Sequence, residues 1–402
     1  MGWTEAVPLG AHAQVIAGQS PDGRFYNQDG NGLPFYQGKK DFGASELQPP
    51  TKWTTQVTKE ALPGDILMSV RAPVGPVNFT REKVCIGRGL AAIRCRNSMD
   101  ADFLFYQLLG MQDRIAGKEG AVFASINKAE IEALPIVAPP LPEQRRIVAI
   151  LDEAFEAIAT AKANTEKNLQ NAREVFEQQH DAIFADLANS AEPIHLGELA
   201  TFRNGVNFTK RSNGCSIRII GVKDFQSHFW APLDDLDVVT LDGDLSPNDA
   251  VSEGDILTVR SNGNPELIGR CMVVGGLREP VTHSGFTIRI SVDRGRAVPP
   301  YVCQFLRSRV VRRKLIDGGN GLNIKSLNQG MLAEVAVPLP PRDTQEQCVA
   351  RIEALTTATR DLADLADRKT AALDELKKSL LHQAFTGKLT GKATDRQLEA
   401  VA

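Results

Sequence analysis

Side-chain chemistry needs particular residues at short, specific spacings, and this sequence offers few such groupings. The six histidines, His12, His180, His195, His228, His283 and His382, stand apart, and none forms an HExxH or a ligand pair. A metal-dependent nuclease needs grouped acids and a lysine. Pro21-Asp22 has no Glu-x-Lys on a following strand, and Glu375-Leu376-Lys377 falls on a long helical pattern. An adenine methyltransferase needs a Gly-rich cofactor turn and an Asn/Asp-Pro-Pro-aromatic loop. Ala138-Pro139-Pro140-Leu141 has the prolines without the amide or the ring. Gly318-Gly319-Asn320-Gly321 follows no strand signal, which argues against a phosphate cradle. The six cysteines, Cys85, Cys95, Cys215, Cys271, Cys303 and Cys348, are scattered without a CxxC pair and read as small buried residues in a reducing compartment. Neither a catalytic constellation nor a metal or cofactor site is expected.

The remaining polar signals suit contact with DNA. Arg71-Ala72-Pro73-Val74-Gly75 follows a buried-strand pattern and predicts a stiff loop with a charged tip, and Gly87-Arg88-Gly89 is a second tip. Gln19, Arg24, Tyr26, Asn27, Gln37, Lys39 and Lys40 add amides and cations in predicted loops of the same region. Further on, Arg260-Ser261-Asn262-Gly263-Asn264 follows a matching strand pattern, with Asn204, Asn207, Lys210, Arg211, Lys223 and Arg270 as its companions. Arginine can pair bidentately with guanine and Asn or Gln with adenine, while lysine mainly serves phosphates. Phe286-Thr287-Ile288-Arg289-Ile290 reads as a strand and a helix follows near Tyr301–Ile316, on which the run Arg307, Arg309, Arg312, Arg313, Lys314 reads as a phosphate-facing surface or a plain solvated face.

Two long rods must position these loops. One opens at Pro139-Pro140-Leu141-Pro142-Glu143-Gln144-Arg145-Arg146 and the other at Pro340-Pro341-Arg342-Asp343-Thr344-Gln345-Glu346-Gln347. In the first, apolar or small residues recur at Ile147, Leu151, Ala154, Ile158, Ala161, Thr165, Leu169, Ala172, Phe176 and Ile183. In the second they recur at Val349, Ile352, Leu355, Thr359, Leu362, Ala366, Ala372, Leu376 and Leu380. Steps of three and four predict a narrow seam, and each helix is the obvious partner of the other. At a rise of about 1.5 Å per residue, roughly 40 residues make a spacer of roughly 60 Å.

The signals occur in pairs. Leu9-Gly10 returns as Leu196-Gly197, Gly64-Asp65-Ile66-Leu67 as Gly254-Asp255-Ile256-Leu257, Pro139-Pro140 as Pro340-Pro341 and Phe184 as Phe385. The offset drifts upward through the regions before the rods and is constant along the rods. Loops accept insertions cheaply, whereas one extra residue rotates a helical seam off its partner. The segmentation is therefore 1–140, a mixed α and β globule; 141–190, a helix; 191–340, a second globule; 341–388, a second helix; and 389–402, a polar tail. Apolar content of 42% with 24% charged residues is globular, and no window of about 18 apolar residues suggests a membrane span. Met1–Glu5 lacks the features of a signal peptide, so a cytoplasmic location is expected. A net charge of −3 argues weakly against nucleic acid, but a total can hide local basic faces.

The doubled Pro-x-x-Glu-Gln-type opening, the ending Leu376-Lys377-Lys378-Ser379-Leu380…Ala384-Phe385-Thr386-Gly387-Lys388-Leu389, and the loops Ser69–Gly75 and Arg260–Arg270 resemble the specificity (S) subunits of type I restriction–modification enzymes. The second opening departs, with Asp343-Thr344-Gln345 where the first has Pro142-Glu143-Gln144. The resemblance implies an α+β fold in which two mixed α/β target recognition domains are separated by an antiparallel coiled coil, with an internal pseudo-twofold repeat. It implies a non-enzymatic chain that reads a bipartite, asymmetric double-stranded DNA target. It also implies partners: two modification (M) subunits that carry S-adenosylmethionine, and restriction (R) subunits. A recognition subunit of a type IIB-like or other phage-defence methylation system would look alike, and a coiled-coil adaptor that binds protein is the alternative from another class.

Overall fold

A computed structural model of the chain describes residues 5–116, 125–226, 228–317 and 326–390. The first four residues, the glycine cluster at 318–321 and the tail from 391 lie outside the described residues. The chain divides into two compact units, residues 1–165 with 367–402, and residues 166–366. Among the described residues no helix is long and apolar enough to cross a membrane.

The first unit is built on strands β1 (Ala13–Ala17), β2 (Leu33–Tyr36), β3 (Ile66–Ser69), β4 (Val77–Phe79), β5 (Val84–Ile86) and β6 (Leu90–Cys95), followed by helix α1 (Ala101–Gly110). Its main sheet is antiparallel in the order β1-β6-β3-β4, and β2 pairs with β5 in parallel in a side sheet of five strands. Central strand β3 is buried on both faces, which is why its sequence is an unbroken apolar run rather than an alternation. Ile66 and Met68 join the core under α1, and Leu67 joins a separate cluster with Tyr36, Ile86 and Leu90.

The second unit has β7 (Ala200–Asn204), β8 (Ser216–Ile220), β9 (Ile256–Val259), β10 (Cys271–Val273), β11 (Val281–His283) and β12 (Thr287–Val292), then helix α3 (Pro299–Arg307). Helix α2, the first rod, spans Leu141–Ser190 and helix α4, the second, spans Arg342–Phe385. The main sheet of this unit is again antiparallel, in the order β7-β12-β9-β10, and β8 pairs with β11 in parallel, here within three strands. The helix expected near Tyr301–Ile316 is broken at Ser308, whose ψ of 142° is extended, and a separate helix covers Arg309–Asp317.

The paired sequence signals have physical causes within each unit. Asp65 accepts from the amide of Leu62 at 2.8 Å and Asp255 from that of Ser252 at 2.7 Å, so each Gly-Asp pair closes the turn into a central strand. Gln144, in the opening of α2, is fully buried; it accepts from the Asp100 amide at 2.7 Å and donates to the carbonyls of Ser98 at 3.0 Å and Pro139 at 2.7 Å. Gln345 in α4 accepts from the Val298 amide at 2.8 Å and donates to the carbonyls of Pro340 at 2.9 Å and Arg296 at 3.4 Å. Asp100 and Val298 are the N-cap residues of α1 and α3. Each buried glutamine thus ties the start of a rod to the first turn of a globule helix, satisfying groups that would otherwise be orphaned. Phe385 lies edge-on to Phe103, with ring centroids 5.3 Å apart, and Phe184 contacts Tyr301 and Phe305 at 5.7 and 5.4 Å.

The rods meet within both units. In the first, Lys162 pairs with Asp374 and the Lys377 ammonium lies 4.8 Å from the Phe155 ring centroid. In the second, Arg351 donates to Gln179 at 3.3 Å. All ten seam positions expected on α2 are buried or half-buried. On α4, Val349, Ile352, Leu355, Thr359, Ala366 and Leu380 are buried or half-buried as expected, whereas Leu362, Ala372 and Leu376 are exposed, and the inward row between Thr359 and Leu380 runs Ala363, Ala366, Thr370, Leu373, Lys377. The observed row keeps the steps of three and four, with small residues at its middle; leucine size alone was the misleading cue.

Candidate nucleic-acid interface

In the first unit three loop tips converge at the end of the side sheet. The chain leaves β3 at Val70, whose amide donates to the Gly89 carbonyl at 3.0 Å, and Arg71 follows with its side chain exposed. The β5–β6 turn, residues 87–89, is held by the Gly87 amide donating to the Tyr36 carbonyl at 2.8 Å. A Cβ on Gly89 would lie 2.2 Å from the Gln37 carbonyl oxygen, so only glycine allows this turn to press against the end of β2. The result is a recess of about 220 Å³ lined by Gln37, Lys39, Arg71 and Arg88 together with Gly38, Ser69, Ala72 and Gly89. Three cations face it with no carboxylate in its lining, which makes it an anion-attracting rim with hydrogen-bond donors suited to a phosphate or a guanine edge.

The other expected residues of this unit lie elsewhere. Gln19 and Lys40 are exposed. Arg24 pairs with Asp22 at 3.6 Å and lies over the Phe25 ring. Tyr26 stacks on Phe35 at 4.8 Å and its hydroxyl donates to the Pro21 carbonyl at 2.9 Å. Asn27 donates to the Asn31 carbonyl and accepts from the amides of Asp29 and Asn31, which closes the turn 27–31. The side chains of Tyr26 and Asn27 thus hold their loops.

In the second unit the cations are more engaged. Arg270 donates to the main-chain carbonyls of Glu266 at 3.1 Å, Phe225 at 3.4 Å and Gln226. Arg312 donates to the carbonyls of Glu266 and Ile268, and burial together with the neighbouring Arg270 guanidinium holds it below the ordinary arginine range. Lys223 is drawn into an ion pair with Asp237 at 2.6 Å, a bond that raises its pKa. The basic run near 307–314 does not form one free face. Arg307 donates to the carbonyls of Cys271 and His228, and Arg309, though exposed, pairs with Asp181 and Glu177; Arg313 and Lys314 are exposed as well.

Asn262 accepts from the Asn264 amide at 2.8 Å and Asn264 from that of Glu266 at 3.0 Å, so their side-chain NH2 groups remain the donors. Asn204 accepts from Gln329 at 3.2 Å. Asn207, Lys210 and Arg211 are exposed, and Arg260 is half-buried at the end of β9. Phe286, which the sequence pattern places at the start of a strand, instead sits on the turn before β12 with 60% of its surface exposed. Its position directly after Ser284-Gly285 was the available signal.

Burial pushes Cys95 up to about 12 and also raises Cys271, Cys303 and Cys348, so none of these four supplies a thiolate. Among the described residues no group of three or more His, Cys, Asp or Glu side chains is arranged to hold a metal ion.

Residues 19–171, which contain the whole cationic recess, match the type I restriction modification DNA specificity domain. A Methanocaldococcus jannaschii protein assigned as the specificity subunit of type I restriction enzyme MjaX is 40% identical over 174 residues, which is 42% of this chain and 40% of that relative. The EcoKI specificity subunit of Escherichia coli K12 is 24% identical over 301 residues, 68% of this chain and 61% of its own length. The chain therefore covers less than two thirds of either relative. A chain from a type I R-M system, solved to explain complex assembly and conformational transition, has a TM-score of 0.74 at 16% identity and covers 96% of this chain and 98% of its own. The HsdS subunit from Thermoanaerobacter tengcongensis has a TM-score of 0.62 at 17% identity, covering 96% and 97%. At such identities the likeness establishes the fold.

Proposed function

We propose that this chain is the non-catalytic, DNA sequence-reading subunit of a type I restriction–modification complex. Its recognition domains are 1–140 and 191–340, and each reads one half of a bipartite, asymmetric target. The single observation that carries this reading is one sheet order occurring twice with different loop chemistry at the strand ends, as two unlike half-sites require. The helices of 141–190 and 341–388 act as an antiparallel coiled coil that sets the gap, and the chain as an internal pseudo-twofold repeat. The pairs Lys162–Asp374 and Gln179–Arg351 support this, because numbers rise along one helix as they fall along the other. Two modification subunits, which would carry S-adenosylmethionine, dock on this spacer, and the exposed Leu362, Leu365 and Leu376 of α4 offer apolar contact for them. Restriction subunits complete the complex, which works in the cytoplasm.

The test is to express the chain with its modification partner and sequence the methylated DNA. One two-part motif, with two protected patches about one duplex turn apart in a footprint, is the expected outcome. Methyl transfer or cleavage by the isolated chain, or an affinity that does not fall with rising salt, would overturn the reading.

A further inference from the structure

We infer that Phe286 makes the second globule a reader of thymine, its ring resting on the 5-methyl group in the major groove, an inference that rests on the DNA-reading role proposed above. The exposure of this ring is not looseness. The Phe286 carbonyl accepts from the amides of Arg260 at 2.8 Å and Ser261 at 3.4 Å, and its own amide donates to the Ser284 hydroxyl at 3.3 Å. A backbone held at both its amide and its carbonyl thus keeps a large apolar side chain in water, where its exposure costs stability. A ring presented from so held a backbone suits a contact made only when a partner arrives.

Its neighbours point to the same base pair. The Gly285 amide donates to the Val206 carbonyl at 2.8 Å, and a Cβ at Gly285 would lie 2.2 Å from the Asn207 Oδ1. The loops bearing Asn207 and Phe286 therefore touch, and a second exposed ring, Phe208, follows Asn207. Asparagine matches the N6 and N7 edge of adenine, and an aromatic ring matches the methyl group of thymine, so the two residue types together complement A·T pairs. In the first globule the corresponding turn carries Arg88 and Gly89, which suit guanine or phosphate instead.

Deoxyuridine lacks only the thymine methyl group and isolates this contact. The probe is the full chain with its modification subunit, on duplexes carrying its motif with thymines replaced one at a time in the half read by the second globule. One replacement should weaken the wild-type complex about four-fold, the effect of exposing one methyl group. The Phe286→Ala complex should bind thymine and uracil duplexes equally, and Phe286→Leu should retain part of the preference. If the wild type binds its motif specifically yet ignores every replacement, the Phe286 inference fails while DNA reading stands. If Phe286→Ala lowers both affinities by the same factor and so keeps the preference for thymine over uracil, the ring is an intercalating wedge or a structural element, and the inference is again overturned. If the wild type does not distinguish its motif from scrambled DNA, the underlying reading itself fails.

Discussion

The two globules share a sheet order and differ at the ends of their strands. In the first, Lys39, Arg71 and Arg88 surround an open recess; in the second, Arg270 and Arg312 grip main-chain carbonyls and a phenylalanine stands out. The contrast separates what the fold needs from what a target needs. Buried groups such as Gln144 and Gln345 do the same work twice, because both globules must join a rod. Tips can diverge because their exposed side chains lie outside the core.

The largest expected effects test the shared scaffold. Gln144→Ala should destabilise the first unit by about 3 kcal/mol, since a fully buried side-chain amide loses three hydrogen bonds. Gln345→Ala should cost somewhat less, in line with its longest bond of 3.4 Å. Chemical denaturation of the full chain checks both, and a silent substitution at either site would break the equivalence.

Acid should then separate the units. His283 ends β11 where Ile86 ends β5, and its Nε2 has no partner. Burial, aided by the Arg289 charge, lowers its pKa from 6.5 to about 4. The unfolded chain therefore binds a proton more readily, so stability is full above pH 6.5 and declines as pH falls toward 4. The loss is about 3 kcal/mol. Hydrogen exchange should show the second unit opening first on acidification, and His283→Ile should reduce the difference; equal acid sensitivity of both units would contradict it.

Smaller effects probe the tips. Arg71→Ala should weaken binding of the target by about 2 kcal/mol and relax specificity in one half-site. Arg270→Ala should instead loosen loop 264–270, visible as faster exchange of its amides. Lys39→Ala should reduce the slope of log affinity against log salt by about one. Lys223→Ala should change that slope less, because Asp237 already pairs with it.

The strands, helices and paired signals were legible because they follow burial. Ile66-Leu67-Met68 is an unbroken apolar run since both its faces are covered, and the rod openings recur since each buries a glutamine. The recess was legible only as parts. Gln37, Arg71 and Arg88 are far apart in sequence; parallel pairing of β2 with β5 joins Gln37 to Arg88, and antiparallel pairing of β3 with β6 adds Arg71. Arg270 and Arg312 read as free cations because their carbonyl partners carry no side-chain signature. Phe286 read as a strand residue because an aromatic at a strand start and one on a turn tip look alike in sequence.

Under the proposed function the two globules read two half-sites, and binding should respond sharply to the spacing of the target. Binding of the full complex to duplexes whose half-sites are moved apart by one base pair measures this directly. Specific binding should be lost, and a heptad inserted into both rods, about 10 Å of added length, should restore it on a target about three base pairs longer. Affinity indifferent to the gap, in either the natural or the lengthened chain, would contradict the account.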